Sequence, residues 1–364
     1  MNILHLLPAL ESGGVETGTI DLALSLKRLG HTVIVVSNGG QLVKSLEDNK
    51  ISHIKLPVHK KSPSAILLIP KIVSILRSHN IDIVHAKSRV PAWIGYLSCK
   101  ISGTPFVTSC HGFYSKHFFS SVMGRGQRVM VISRSIEMRM IEDFKVPASR
   151  IRLVYRGVDL SKYPYQPDKY ESEKISFIVI NIGRLTPLKG QHKFIKAMKR
   201  VAEEIRSVEA WIVGAPERGK EHYVERLHRA VLELGMEGSI KFLGLRKDIP
   251  ELLKKSDCLV LSTNVPEGFG RTVVEAGAIG TAVCASDVGG LREIITDGVS
   301  GILFPPDDEV KMAEAIIRML SSRDFSKGCS ENLRRRVEND FTLERMTKET
   351  LSVYEEVVKA RVPA

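Results

Sequence analysis

The feature that most restricts the fold is an alternation of short apolar runs with longer amphipathic segments along nearly the whole chain. The short runs are rich in β-branched residues and predict strands, while segments such as Val15–Leu29 and Ala65–Arg77 carry apolar residues at helical spacing. Strands that alternate with helices form parallel sheets covered on both faces, so an α/β fold is expected. The predicted strands are Asn2–Leu7, Thr32–Ser37, Ile81–His85, Phe106–Ser109, Val129–Ser133, Ile151–Val154, Ile175–Ile182, Ala210–Val213, Ile240–Leu243, Cys258–Ser262, Ala282–Ala285 and Gly301–Phe304.

The strands fall into two series of six, and a polar stretch, Tyr163–Lys174, lies between them. A chain of 364 residues is long enough for two domains that each bury a core. Two doubly wound domains are therefore predicted. A last helical pattern, Leu343–Val358, follows Thr342, which suits the N-cap position.

The positive charge of the chain is confined to its first half. Residues 1–156 hold 21 Lys and Arg against 9 Asp and Glu, whereas residues 157–364 hold 32 of each, so the first half carries the whole net charge of +12. This excess indicates an anionic partner, which could be a membrane surface, an anionic substrate or nucleic acid. An uneven scatter of solvated charges is the alternative.

Cysteine usage and hydropathy point to the cytoplasm. The five cysteines are scattered without a Cys-x-x-Cys pair, which favours a reducing compartment over a disulfide framework or a zinc knuckle. The opening MNILHLLPAL lacks a basic leader and reads as a strand, so no signal peptide is expected. The longest apolar run, Ala65–Leu76, is too short to span a bilayer.

Ligands of open α/β sheets bind beyond the carboxyl ends of the strands, so the loops at those ends are the candidate sites. Gly13 and Gly14 lead into the first helix and could bind a phosphate through backbone N–H groups, although a plain turn is the alternative. His111 lies at the end of the predicted strand Phe106–Ser109, beside Cys110, and it could either face a ligand or be a hydrogen-bonded structural histidine. Cys110 is expected to be a packing residue.

Two loops of the second half carry charged residues at strand ends. Arg184 and Lys189 lie five positions apart across a turn built around Pro187, which suits a diphosphate unless they are a solvated surface pair. In PEGFGRTVVEAG, the turn Gly268–Gly270 permits close approach of a ligand to the backbone, and a helix is expected from Arg271. Glu267 and Glu275 flank this turn and could accept hydrogen bonds from sugar hydroxyls.

The segment EGFGRTVVEA resembles the E-x7-E signature of retaining, nucleotide-sugar-dependent glycosyltransferases of family 4. Two departures stand out: Arg156 replaces the usual Asn and Thr281 replaces the usual Pro, and neither is expected to touch the chemistry. The further motifs that match, in the family's order, are Gly13–Glu16, His111-Gly112, Arg156–Asp159, Gly183-Arg184 with Lys189-Gly190, Asp287–Gly290 and Gly298–Pro305.

The resemblance implies the GT-B fold, in which two doubly wound, Rossmann-like domains face each other across a cleft. Residues 1–157 would form the acceptor domain, with a C-terminal helix at 343–360 packing back on it. Residues 158–342 would form the donor domain.

The resemblance also implies a role for each candidate residue. Glu275 would bind the ribose of a UDP- or GDP-linked donor, and Glu267 would hold hydroxyls of the transferred sugar. Arg184 and Lys189 would neutralise the leaving diphosphate, so that neither a metal nor another cofactor is needed. The remaining implied contacts are the donor sugar for His111 and backbone contacts to the donor for Gly14, Gly268, Phe269 and Gly270.

The implied reaction moves a hexose-type sugar to a glycan or lipid-linked acceptor, in cell-envelope polysaccharide or lipopolysaccharide synthesis at the inner face of the cell membrane. The segment Phe113–Phe119 mixes aromatic residues with cations and suits a membrane interface, or else ordinary core packing. Two alternatives are a GT-B epimerase or phosphorylase and a non-catalytic nucleic-acid binder. The second would leave both glutamates unexplained, so no nucleic-acid partner is expected.

Overall fold

The computed structural model describes residues 1–11, 13–171, 174–216 and 219–360, which form two compact units. The first unit comprises residues 1–159 together with the C-terminal residues from 341 onward, and the second comprises Leu160–Asp340. The chain therefore leaves the first unit two residues after the predicted boundary and returns to it at Phe341.

The first unit contains a parallel sheet with the strand order β3-β2-β1-β4-β5-β6-β7. All of its strands except β3 were predicted. The polar edge strand β3 has only one apolar residue, Ile54, and so lacks the pattern of a buried strand. The strands are β1 (Asn2–Leu6), β2 (Thr32–Ser37), β3 (Ser52–Lys55), β4 (Ile83–Ala86), β5 (Phe106–Cys110), β6 (Arg128–Val131) and β7 (Ile151–Leu153).

The helices of the first unit follow their strands as predicted, with one difference. The predicted helix Ala65–Arg77 is divided into a 3-10 segment, Pro63–Leu68, and an α-helix that begins at Ile69, since Pro70 fits only the first turn of an α-helix. Among the described residues, no helix has the length and hydrophobicity required to cross a membrane. The helices are α1 (Gly14–Arg28), α2 (Val43–Asp48), α3 (Ile69–Ser78), α4 (Arg89–Ser102), α5 (Phe118–Ser121) and α6 (Arg134–Glu142).

The second unit is a second doubly wound domain, whose parallel sheet has the order β10-β9-β8-β11-β12-β13. Strands β11 and β12 are completely buried because helices cover both faces of the sheet. The strands are β8 (Phe177–Ile182), β9 (Val208–Val213), β10 (Ile240–Gly244), β11 (Cys258–Leu261), β12 (Ala282–Ser286) and β13 (Ile302–Phe304). The helices are α7 (Gln191–Glu204), α8 (His222–Glu233), α9 (Ile249–Lys255), α10 (Arg271–Ile279), α11 (Leu291–Ile294), α12 (Glu309–Ser321) and α13 (Arg323–Asp340).

The polar stretch predicted between the two strand series packs onto the second unit, although Ser172 and Glu173 lie outside the described residues. The ammonium of Lys169 donates to the carbonyl of Leu253 at 2.8 Å and to Oγ1 of Thr281 at 2.7 Å. Thr281, one of the two departures from the family pattern, therefore anchors this stretch to the domain.

The C-terminal helix α14 (Leu343–Lys359) packs on the first unit. Thr342 caps it as predicted, since its Oγ1 accepts a hydrogen bond from the N–H of Arg345 at 3.2 Å. Inside the core, the Tyr354 hydroxyl lies 2.6 Å from Nδ1 of His85. At the surface, Glu356 forms ion pairs with guanidinium groups on β6 and β7, which hold its carboxyl pKa at about 2.

Candidate active site

At the carboxyl edge of the second sheet, a tight turn brings Lys189 against the loop that follows β11. Gly190 has φ +68, and a Cβ atom at this position would collide with the carbonyl of Ser262. The hydroxyl of Ser262 donates to the carbonyl of Lys189 at 2.9 Å, and the N–H of Asn264 donates to Leu188 at the same distance. Arg184 is exposed at this strand end, and its carbonyl accepts a hydrogen bond from Gln191.

The structure joins two residues to which separate roles were assigned from the sequence. The ammonium of Lys189 donates a charge-assisted hydrogen bond to Oε2 of Glu267. Their side chains are 27% and 23% exposed, so the pair is open to a ligand but partly shielded from water. A diphosphate that binds Lys189 must therefore share it with Glu267 or displace that carboxylate.

The glycine turn after Glu267 is backed by a second glycine pair. Gly270 has φ +107 and is the N-cap residue of α10, so N–H groups at the start of this helix point toward the turn. The N–H of Gly290 donates to the carbonyl of Glu267 at 2.8 Å. A Cβ atom on Gly289 would collide with the backbone of Glu267, so Gly289 and Gly290 permit this backbone contact.

Glu275 lies inside α10 and is part of a buried ion pair. Its Oε1 accepts a hydrogen bond from Nε of Arg271 at 2.8 Å, and the two side chains are only 9% and 13% exposed. Burial and then the charge of Glu275 raise the pKa of the Tyr163 phenol. Neither Arg271 nor Tyr163 was predicted from the sequence to be a site residue, although the spacing of Arg271 and Glu275 is the i, i+4 spacing of helical ion pairs.

At the carboxyl edge of the first sheet, Arg156 contacts two predicted site residues. One guanidinium nitrogen donates to the carbonyl of Gly14, and another donates to Nδ1 of His111 at 3.2 Å. A Cβ atom on Gly18 of α1 would collide with this guanidinium. Arg156, although it departs from the family pattern, therefore contacts two of the residues predicted to bind substrate.

The contact with Arg156 determines the tautomer of His111. A guanidinium can only donate, so Nδ1 accepts and the proton of the neutral ring lies on Nε2. Burial, the charge of Arg156 and the charge of Lys87 all lower the pKa of His111 well below its usual value, which keeps the ring neutral. No described residue is a hydrogen-bond partner of the buried Nε2. His111 thus offers one N–H donor to a ligand.

Two further predicted features have clear positions. Cys110 is completely buried, and burial raises the pKa of its thiol, which suits a packing residue and not a nucleophile.

Phe118 and Phe119 are each 68% exposed, so they are not core residues. The ring of Trp93 on α4 stacks on the ring of Phe118 at a centroid distance of 5.3 Å. The guanidinium of Arg125 lies over the Trp93 ring.

Comparison with known proteins connects both units to sugar transfer. Residues 12–162 match the family described as Glycosyltransferase Family 4, and residues 164–336 match the family described as Glycosyl transferases group 1. The chain is 28% identical over 378 residues to a glycosyltransferase of Methanocaldococcus jannaschii, with 94% of each protein covered.

Two solved structures match over nearly the full length of the chain. A glycosyltransferase from Rickettsia africae is 31% identical, with 98% of each chain covered and a TM-score of 0.88. HepE from Anabaena, solved in complex with UDP-glucose, is 27% identical, with 97% of this chain and 99% of that chain covered and a TM-score of 0.85.

Proposed function

The chain belongs to the family 4 glycosyltransferases with the GT-B fold, and on this basis we propose that it is a retaining hexosyltransferase that uses a nucleotide diphosphate sugar. The proposal extends the family assignment to the donor, the stereochemistry and the acceptor. The likeness to HepE, whose structure contains UDP-glucose, supports a donor of this class.

The observation that carries the proposal is the clustering of donor-type groups at the carboxyl edge of the second sheet. The Lys189–Glu267 pair adjoins the Gly268–Gly270 turn and the N-terminus of α10. A diphosphate would bind Lys189 together with Arg184 and the N–H groups of the turn. This exchange would release the Glu267 carboxylate to accept hydrogen bonds from hydroxyls of the sugar.

The proposed chemistry relies on positioning and charge. Lys189 and Arg184 stabilise the departing diphosphate, and neutral His111 donates a hydrogen bond from Nε2 to bound substrate. The new glycosidic bond forms on the face from which the diphosphate leaves, because the leaving oxygen and the acceptor hydroxyl share that side. Because two cations neutralise the diphosphate, we propose that turnover needs no divalent metal.

The donor is tested by thermal denaturation with UDP, GDP or ADP, since a ligand that binds only the native state raises the melting temperature. The corresponding nucleotide sugar is then offered with glycan acceptors, and the anomeric configuration of the product is read by NMR. Turnover should persist in EDTA. An inverted product would refute retention, and loss of turnover that magnesium restores would refute metal independence.

For the acceptor we propose a glycan or lipid-linked molecule at the inner face of the cell membrane. In support, Ile66, Leu67, Phe118 and Phe119 are exposed, and the segments that carry them both pack against α4. Of the apolar residues in the run Ala65–Leu76, however, Ile69, Ile72 and Leu76 are buried and belong to the core. The candidate surface therefore consists of the four exposed apolar residues and nearby cations, among them the exposed Lys60, Lys61, Lys71 and Arg77.

Vesicle co-sedimentation tests this surface. Each Lys or Arg near an anionic bilayer contributes about 1 kcal/mol, so binding to anionic vesicles should be reversible and should weaken in high salt. Reversing Lys60 and Lys61 to Glu should weaken it as well, while neutral vesicles should bind little protein. Equal sedimentation with both lipids, or with neither, would contradict the membrane proposal and favour a soluble acceptor.

A further inference from the structure

Lys87 occupies the position in the first sheet where ligands of doubly wound domains usually bind. It directly follows β4, and its N–H donates to the carbonyl of Leu6 at the end of β1, at 3.0 Å. The sheet order reverses between β1 and β4, and the crevice at such a reversal is the preferred binding position. Lys87 was not among the site residues predicted from the sequence.

The charge of Lys87 is buried, and no counterion for it lies among the described residues. The residue is 5% exposed, and its ammonium forms no hydrogen bond or ion pair with any residue that the structure describes. Burial, followed by the charge of Arg156, lowers its pKa to about 7. A buried cation without a partner is costly, and such groups are concentrated at functional sites.

The groups around Lys87 share its preference for an anion. Arg156 is 8% exposed, and its guanidinium joins His111 to the first turn of α1. His111 directs a proton on Nε2 to no described partner, and the charge of Lys87 contributes to its lowered pKa. Lys87 follows β4, which pairs with β1 and β5, and Arg156 contacts the loops that follow those two strands, so an ammonium and a guanidinium lie at the same edge of the sheet. This set matches the oxygens of a phosphate or carboxylate.

We infer that Lys87 and Arg156 bind a phosphate or carboxylate group of the acceptor. The inference rests on the proposed function, in which the donor diphosphate is bound by Arg184 and Lys189 of the second unit. Since these residues already account for the donor's charge, a second cationic set in the first unit indicates a second anion. The acceptor class is therefore an anionic molecule and not a neutral glycan.

Anion binding by the full-length chain tests this inference. Inorganic phosphate and malonate are titrated by calorimetry into protein saturated with UDP, which occupies the donor diphosphate site. Lys87→Met removes the charge but keeps the apolar stem, and Lys44→Met on the exposed face of α2 is the matched control. We expect Lys87→Met to weaken binding of at least one anion by about tenfold or more, and Lys44→Met to leave it unchanged. The anion that binds more tightly identifies the acceptor group.

A second variant keeps the test independent of how well Lys87→Met folds. Gly18→Ala places a methyl group against the guanidinium of Arg156, and it should weaken the same anion without altering Lys87. Wild-type affinity in both variants, or no anion binding by the wild type, would overturn the inference. Equal loss of UDP and anion binding in Lys87→Met would also overturn it, by placing Lys87 at the donor.

The UDP measurement distinguishes this inference from the proposed function. If the wild type binds UDP but neither anion, the donor site stands and the acceptor class is wrong. If the wild type binds no nucleotide, the proposed function fails. The anion titrations then proceed without UDP, and loss of anion binding in Lys87→Met would still support the anion site itself.

Discussion

Replacing Glu275 with alanine should destabilise the second unit, whatever it does to donor binding. The Glu275 carboxylate accepts a hydrogen bond from Arg271 at 2.8 Å, and both side chains are nearly buried. Removing one partner of a buried ion pair typically costs about 3–5 kcal/mol. Domain stabilities are only about 5–15 kcal/mol, so this loss is a large fraction of the total. Reduced activity in Glu275→Ala would therefore not identify a ribose contact.

The two tryptophans allow the stability of each unit to be followed separately. Trp93 lies on α4 of the first unit and Trp211 on β9 of the second, so a Trp93→Phe background leaves one reporter in the second unit. Urea unfolding in that background is measured for Glu275→Ala, Arg271→Ala and the double variant. Because the double variant removes both charges of the pair, it should lose at least about 2 kcal/mol less than the sum of the two single losses.

Additive losses, equal to the double loss within about 0.5 kcal/mol, would refute the coupling of Arg271 to Glu275. The donor role is tested with Glu275→Gln, which keeps an oxygen acceptor and should cost about 1–3 kcal/mol of stability. This variant should bind UDP about tenfold more weakly, because charge-assisted hydrogen bonds to the ribose become neutral ones. Wild-type affinity for UDP in folded Glu275→Gln would remove Glu275 from the donor site.

Glu267→Gln should free Lys189 from its ion pair. Calorimetry should then show that the variant binds UDP about fivefold more tightly, while its turnover falls. Weaker UDP binding would contradict the shared role of Lys189. The stability of the first unit should decrease as the pH falls below about 6.5. Burial lowers the pKa values of His5 and His85, so below this pH the unfolded chain binds more protons than the folded chain. Equal urea midpoints of Trp93 fluorescence at pH 7.5 and 5.5 would contradict this. Gly289→Ala should displace the glycine turn and weaken UDP binding, because the φ of +55 at Gly289 and its contact with the backbone of Glu267 exclude a side chain. Wild-type affinity for UDP would show that the turn tolerates the displacement.

Local sequence pattern was sufficient to predict both parallel sheets, except the edge strand β3, and the Thr342 cap of the C-terminal helix. Apolar strands that alternate with amphipathic helices leave few arrangements other than parallel sheets covered on both faces. Two elements were not predicted correctly. The polar edge strand β3 lacks the apolar pattern of a buried strand, and the helical segment around Pro70 changes from a 3-10 to an α-helix. Both failures occur where the chain departs from the periodicity on which the prediction depends.

The sequence also placed Lys189, Glu267, His111 and Gly14 at strand ends, because strands of a parallel sheet present their carboxyl ends at one edge. Only the tertiary structure decided which of these groups meet. Lys189 pairs with Glu267 across 78 residues, and Arg156 contacts His111 across 45 residues. Lys87 shows no sign in the sequence of its burial beside Arg156. Ion pairs, tautomers and the pKa values of buried groups depend on separations of a few ångströms. Strand order and close backbone contacts determine these separations, and the periodicity of the sequence carries no information about them.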